Sequence, residues 1–222
     1  MLPRLPLFPL PVVLFPDTTL PLHIFEPRYR RMLADCLSGD RRFGLTPPGS
    51  SGKAPEPGSV GCIAEVRANQ ELPGGRSNIV VLGGRRFVIE RILSDPAPYY
   101  VGQVEPFDDE AGTAPPDERT TQLRQVFLQY RELLRHLNDL EPEEAELPAD
   151  ALGLSFHAAA GAECDATIKQ RLLAERSTAR RVESLLLLLP VLASAAQNAL
   201  DVHSRAHTNG KGGVPTGLAA GS

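Results

Sequence analysis

The stretch Leu5-Pro-Leu-Phe-Pro-Leu-Pro-Val-Val-Leu-Phe-Pro-Asp-Thr-Thr-Leu-Pro-Leu-His-Ile-Phe-Glu-Pro-Arg-Tyr29 decides the fold. It sets six prolines among large apolar side chains and ends in a charged turn at a helix start. Proline gives no N–H to a sheet ladder, so this density allows only short strands, edge positions or bulges. The side chains between them, Leu7, Phe8, Val12, Val13, Leu14 and Phe15, still demand a core, which a disordered Pro-rich tail would lack. The stretch therefore reads as an opening ribbon wrapped onto a β-rich domain.

Downstream the pattern stays β-like to about residue 106. Thr19 to Phe25 alternates, with Leu20, Leu22 and Ile24 on one face and Pro21, His23 and Phe25 on the other. Val60 to Arg67 alternates too, and Leu72-Pro-Gly-Gly-Arg76 reads as a turn into the apolar run Asn78–Leu82. Gly83-Gly84 reads as a second hairpin turn, followed by strands over Arg86–Leu93 and Tyr99–Glu105. With the ribbon, six or seven strands can close into a small barrel and remove exposed edges. One helix interrupts them: Pro27 suits a first helical position, and Tyr29, Met32, Leu33 and Cys36 recur at helical spacing.

The second half reads as helices. Residues 107–116 form a linker, and from Asp117 the residues Leu123, Val126, Phe127, Tyr130, Leu133, Leu134 and Leu137 make a stripe of period near 3.6. Further helices are expected over Pro148–Ala160, over Thr167–Glu175 with Asp165 as cap, and from a Ser177 cap through Leu185–Leu189. The last, apolar on most of its circumference, is expected at the centre of a bundle. The fold class is therefore α+β: a β-rich subdomain over 1–106, a helical bundle over 117–200 and a disordered tail over 201–222.

Bulk properties narrow the function. The 222 residues are 42% apolar and 23% charged, with a net charge of −4. That charge is uneven, with 12 basic and 10 acidic side chains up to residue 106, against 9 and 16 over residues 107–200. Neither half has the basic excess of a nucleic-acid footprint. Cys36, Cys62 and Cys164 lie far apart and are odd in number, which points to buried thiols in a reducing, cytoplasmic compartment. The longest apolar run, Leu185–Ala196, is 12 residues, below the roughly 20 of a membrane span, so no membrane is expected.

A search for catalytic motifs yields none. Gly52-Lys53-Ala54 lacks both the first glycine and the hydroxyl of a phosphate-binding loop. Gly153-Leu-Ser-Phe-His157 lacks the last glycine of a nucleophile elbow, and Ser155 and His157 would point apart on a helix. His203 and His207 have metal-ligand spacing but no third ligand. The carboxylates Asp108, Asp109, Glu110, Glu141, Glu143, Glu144 and Glu146 read as solvated connectors. No catalytic residue, metal ligand or cofactor is assigned. The corner Glu26-Pro-Arg28 can pair with itself and fix the chain direction, or Arg30 and Arg31 can face outward as a binding surface.

Several blocks resemble the N-terminal, substrate-binding domain of Lon proteases. These are Leu5–Leu10, Val12–Pro16, Pro21–Tyr29, Gly58–Val66, Asn78–Phe87, and Lys169–Leu173 with Arg180-Arg181. The resemblance covers roughly residues 5–200. It implies a PUA-like β pseudobarrel followed by a helical bundle, a bacterial cytoplasmic setting, and a role in engaging unfolded polypeptides as an adaptor or quality-control factor. Lon continues into ATPase and Ser–Lys protease modules whose motifs this sequence lacks, so a stand-alone, non-enzymatic form is expected. Strand addition at an unpaired edge is the physical route to peptide binding, with Phe8, Phe15, Phe25, Tyr29, Arg30 and Arg31 as candidate substrate-binding residues. The alternatives are a hydrolase by family inheritance and an RNA-binding module acting through Arg85 and Arg86.

Overall fold

The computed structural model describes residues 3–50, 52, 54–141 and 146–209, the last eight of these by backbone alone. Six strands and five helices follow in the order β1 (Arg4–Pro9), β2 (Thr19–Ile24), α1 (Pro27–Leu37), β3 (Arg42–Thr46), β4 (Val60–Leu72), β5 (Arg76–Ile92), β6 (Tyr100–Pro106), α2 (Asp117–Leu137), α3 (Ala151–Gly161), α4 (Ala166–Ala174) and α5 (Thr178–Asn209). This is an α+β fold, as the sequence implied.

The sheet closes on itself. Its order is β2-β5-β4-β3-β1-β6, and β6 returns to pair with β5. The length of β5 makes this possible. Thr19–Ile24 lies against residues 77–82 of β5, whereas β6 lies against residues 87–92 on the same side. Five strands thus form a ring, and β2 with the first half of β5 and the far end of β4 forms an arm beyond it. All pairs are antiparallel except β1–β3, where Leu7, Phe8 and Pro9 run parallel to Gly44, Leu45 and Thr46.

Gly83-Gly84 is not a hairpin turn. The real hairpin is one turn earlier, where Gly74 and Gly75 have φ of 77° and 72°, the left-handed region that turn glycines supply. Gly83 lies inside β5 opposite Ala64, between two β-bulges that bend the strand pair. Its reason is a close approach. A Cβ there would fall 1.9 Å from the Phe15 carbonyl oxygen, and Gly83 exchanges hydrogen bonds with the ribbon turn, donating to Thr18 O and accepting from Asp17 N. The glycine lets the Pro-rich ribbon lie directly on the sheet. Strand β3 was not anticipated; its five residues sit between Asp40 and Pro47-Pro48 and show only Phe43 and Leu45 as apolar signal.

Leu14, Ile24, Tyr29, Met32, Phe43 and Val81 pack into the barrel core, which α1 closes. Pro27 occupies the start of α1, and its buried residues are Tyr29, Met32, Leu33 and Cys36, as the spacing predicts. A second core joins α2, α3, α4 and α5 through Leu123, Phe127, Leu154, Leu172, Val182, Leu185 and Leu189. Phe15 and Val60 of the barrel belong to this second core, so ribbon and bundle share apolar contacts. The Asp165 carboxylate accepts from Thr167 N at 2.7 Å, and the Ser177 hydroxyl from Arg180 N at 3.3 Å, which start α4 and α5 as expected.

Helix α5 departs from expectation twice. It packs on α2 and α3 along one side only, leaving Leu187 77% and Val191 65% exposed, so it is not surrounded by helices. It also runs to Asn209, beyond the predicted start of a disordered tail at residue 201. Ala195, Ala196, Gln197, Ala199 and Leu200 are good helix formers and carry it past the apolar run. Residues 210–222 lie outside the described residues, as do Lys53, Glu143, Glu144 and the side chains of His203 and His207. By length and composition Thr178–Asp201 is apolar enough to cross a bilayer, although its longest unbroken apolar run is short. Here its Val182, Leu185 and Leu189 face fills the bundle core.

Candidate functional site

The arm built by β2, β5 and β4 carries an open polar and aromatic surface. Its register generates rows across three strands. Pro21 faces Val80 and Val80 faces Ala68; His23 faces Asn78 and Asn78 faces Gln70. Because side chains alternate, Pro21, His23, Asn78, Val80, Ala68 and Gln70 all project from the outer face, while Leu22 and Ile79 project inward. Together these residues line a cleft of about 510 Å³. Phe25 follows directly on β2 and extends the outer face towards Arg76; it is 59% exposed. The His23 and Phe25 rings stack, with centroids 5.9 Å apart and planes at 21°, and His23 Nδ1 lies 2.7 Å from Asn78 Oδ1.

Strand β2 is the end of the sheet order, so its outer edge has no strand partner among the described residues. Pro21 in mid-strand fits that position, because an edge strand tolerates a missing N–H that faces outward. The open edge and the outer face meet at the corner from β2 into α1. There Arg28 Nε donates to Glu26 Oε2 at 3.0 Å and stacks 4.5 Å from the Tyr29 ring centroid, which fixes the corner in the way Glu26-Pro-Arg28 suggested. Arg31 is held by Asp35 at 3.0 Å. Arg30 lies over the β4–β5 hairpin, where a Cβ on Gly75 would meet its Nη2 at 2.1 Å.

The six candidate residues therefore divide. Phe25, Arg30 and Arg31 are exposed around this corner. Phe8, Phe15 and Tyr29 are inside: Phe8 packs on Tyr29 with centroids 4.1 Å apart, and Phe15 meets Phe156 of α3 at 6.3 Å. They offer no surface to a partner in this conformation, because the ribbon's apolar face is what seats it on the barrel and bundle. Burial also pushes the Tyr29 phenol up to about 12. His23, Gln70, Arg76, Asn78 and Val80 were not singled out from sequence. Their signal was the outward half of the β2 alternation together with the pairing register, and only the first was readable.

A second cluster lies where barrel and bundle meet, and it overturns two readings. Asp109, expected in a solvated connector, is nearly buried between Arg86 of β5 and Arg181 of α5. Arg181 Nη2 donates to Asp109 Oδ2 at 2.6 Å, Thr178 Oγ1 donates to the same oxygen at 2.6 Å, and Arg86 binds Oδ1. The guanidiniums also donate to backbone carbonyls at the end of α4: Arg86 to Leu173 O at 2.6 Å and Arg181 to Glu175 O at 2.6 Å. A helix C-terminus is the negative end of its dipole, so it balances the second positive charge. Burial raises the Asp109 pKa, but hydrogen bonds from Arg181 and Thr178 and the charges of Arg181 and Arg86 outweigh it and hold the carboxyl below its ordinary value. Arg86 is thus a structural residue with no surface for RNA, and Arg85 pairs with Asp108 at 2.6 Å. The cluster is saturated by its own partners and is a brace.

The remaining motifs stay apart. Ser155 accepts from Arg181 Nε at 2.9 Å and donates to Leu152 O, while His157 Nδ1 meets Gly153 O at 3.1 Å, so the pair makes no dyad. A broad cleft of about 870 Å³ between the Asp17–Thr19 turn and helices α2 and α3 contains Phe127, Arg131, Leu134 and His157. No group of three or more His, Cys, Asp or Glu able to hold a metal occurs among the described residues. The thiols of Cys36 and Cys62 are both pushed up to about 12 by burial, which makes them poor nucleophiles.

The chain is thus an α+β protein in which a closed mixed barrel carries a braced helical bundle and an open-edged arm. The family model of the ATP-dependent protease La (LON) substrate-binding domain matches residues 4–190, and the chain belongs to that family. It is 25% identical over 215 residues to a Lon protease of Cytophaga hutchinsonii, a match covering 92% of this chain and 26% of that protein. The chain thus spans about a quarter of the length of this curated relative. Among solved structures, a Lon N-terminal domain protein from Xanthomonas campestris superposes with a TM-score of 0.60 at 25% identity, covering 83% of this chain and 98% of that one. The N-terminal domain of Mycobacterium avium complex Lon protease shares the fold, with a TM-score of 0.62 at 16% identity over 85% of this chain and 98% of that one.

Proposed function

We propose that this chain is a non-catalytic binding protein that engages unfolded or extended polypeptide segments in the cytoplasm, as an adaptor or quality-control factor. The observation that carries the reading is the open edge of β2 beside the exposed Phe25. An extended segment added to that edge gains main-chain hydrogen bonds, and its alternate side chains fall on the outer face of the arm. Phe25 and the stacked His23 offer those side chains an aromatic floor. Family membership supports the reading, since the family takes its description from substrate binding. Three free, unpaired cysteines fit a reducing compartment.

The test is fluorescence anisotropy with a labelled, unfolded casein-type polypeptide and a peptide array. Binding at roughly tens of micromolar protein, about −6 kcal/mol, is expected. Absence of binding in both assays sinks the proposal.

A further inference from the structure

The β2–α1 corner is basic in a particular way. Two of its carboxylates are engaged, Glu26 by Arg28 and Asp35 by Arg31, and an exposed third, Glu71 of β4, faces Ser77 beside the hairpin. Arg30 and Arg76 have no carboxylate partner among the described residues, and Arg76 donates only to the hairpin carbonyl of Pro73. Both are drawn to one place by the fold. Ile24 pairs with Ser77, so Arg76 is the next position along β5 beside Phe25, and Arg30 reaches back from α1 onto Gly75. Phe25 thus stands, exposed, beside the hairpin that carries Arg76 and receives the Arg30 guanidinium, neither of them paired with a carboxylate among the described residues. The middle row, His23, Asn78 and Gln70, is polar and uncharged when His23 is neutral, and the row beyond it, Pro21, Val80 and Ala68, is apolar.

We propose that the segment read at this edge is acidic as well as apolar: an extended polypeptide that sets an apolar side chain on Phe25 and a carboxylate, one or two residues away, against Arg30 and Arg76. This rests on the polypeptide-binding reading and adds to it the chemistry of the ligand. A carboxylate can bind a guanidinium bidentately, and a carboxamide isostere keeps the shape while losing the charge.

The discriminating experiment compares two labelled decapeptides of the same apolar pattern, one with Asp and Glu beside a central Leu-Phe pair, the other with Asn and Gln in their place. The acidic peptide is expected to bind the wild-type chain about three- to tenfold more tightly, with the gap closing at high salt. In R30Q and in R30Q/R76Q the preference should shrink and then vanish, while the amide peptide keeps its affinity. In F25A both peptides should weaken together. Equal binding of the two peptides to the wild-type chain, or a preference that survives R30Q/R76Q, overturns the acidic specificity while leaving polypeptide binding in place. If neither peptide binds, the underlying reading fails and the specificity goes with it.

Discussion

Arg181 of α5 and Asp109 of the barrel-to-bundle connector form a buried ion pair at 2.6 Å, with the Arg181 side chain wholly out of solvent and over the Phe156 ring at 4.0 Å. The pair ties three parts of the chain, because the same carboxylate binds Arg86 of β5. Removing one partner of such a pair leaves buried charge uncompensated, which costs far more than the pair's net contribution. We expect D109N to lower unfolding stability by roughly 3 kcal/mol, measured by urea denaturation at pH 7. A loss below about 0.5 kcal/mol, the range of an ordinary surface change, would show that the brace does not hold the two halves together.

The same carboxyl gives a pH dependence of defined sign. Its folded pKa is depressed, with burial opposed and outweighed by the Arg181 and Thr178 hydrogen bonds and by both guanidinium charges. The unfolded carboxyl titrates near ~3.9. Its stabilisation is therefore complete above that value and disappears as pH falls through the lower, folded pKa. The difference in stability between wild type and D109N should stay constant from pH 7 down to about 5 and narrow only in more acidic solution. Urea midpoints across that range measure it, and a difference that already shrinks at neutral pH would contradict a depressed pKa.

Much of this fold is written in local pattern, and the rest in distance. The alternation of Leu20, Leu22 and Ile24, the Pro27 helix start and the Asp165 and Ser177 caps are signals within a few residues, and each produces the element it announces. The ribbon's apolar side chains do find a core. Asp109 was illegible because a carboxylate in Asp108-Asp109-Glu110 looks solvated until Arg86 and Arg181 arrive from 23 and 72 residues away. Gly83-Gly84 misled for the same reason: the need for glycine came from the Phe15 carbonyl, not from its own turn. At the candidate site, Phe25 falls on the half of the β2 alternation opposite Leu20, Leu22 and Ile24, whereas an outward Arg30 and Arg31 is one of two readings that the sequence leaves open. Arg76 joined them only through the β2–β5 register.

The two adjacent glycines make a controlled comparison. At Gly83 a methyl group would stand 1.9 Å from Phe15 O, a backbone atom that cannot swing away, whereas at Gly84 the nearest atoms are Ile63 Cβ and O at 3.5 Å. Neither has the positive φ that would itself require glycine. G83A is expected to cost roughly 1–3 kcal/mol by overpacking, with the ribbon lifted from the sheet. G84A should lie within about 0.5 kcal/mol of wild type. Thermal or urea unfolding of the two variants checks this, and equal losses would remove the close-approach explanation.

Phe15 and Phe25 separate stability from binding. Both belong to the opening segment and both were candidates for a binding groove, yet one is fully buried and the other 59% exposed. Truncating Phe15 empties a position shared by ribbon and bundle core, so F15A should lose roughly 3–5 kcal/mol. F25A removes a ring that packs only on His23 among the aromatic contacts, and its stability should stay within about 0.5 kcal/mol of wild type. Polypeptide affinity should move the other way: F25A weakens it by about tenfold, the effect of losing one aromatic anchor worth 1–2 kcal/mol. F15A, studied at a temperature where it remains folded, should bind as wild type does, because its ring has no face on the β2 edge. Anisotropy titrations beside urea melts of the same preparations provide both numbers. If F25A binds normally while F15A, still folded, does not, the binding surface lies on the ribbon side of the barrel and the β2 edge is not the site.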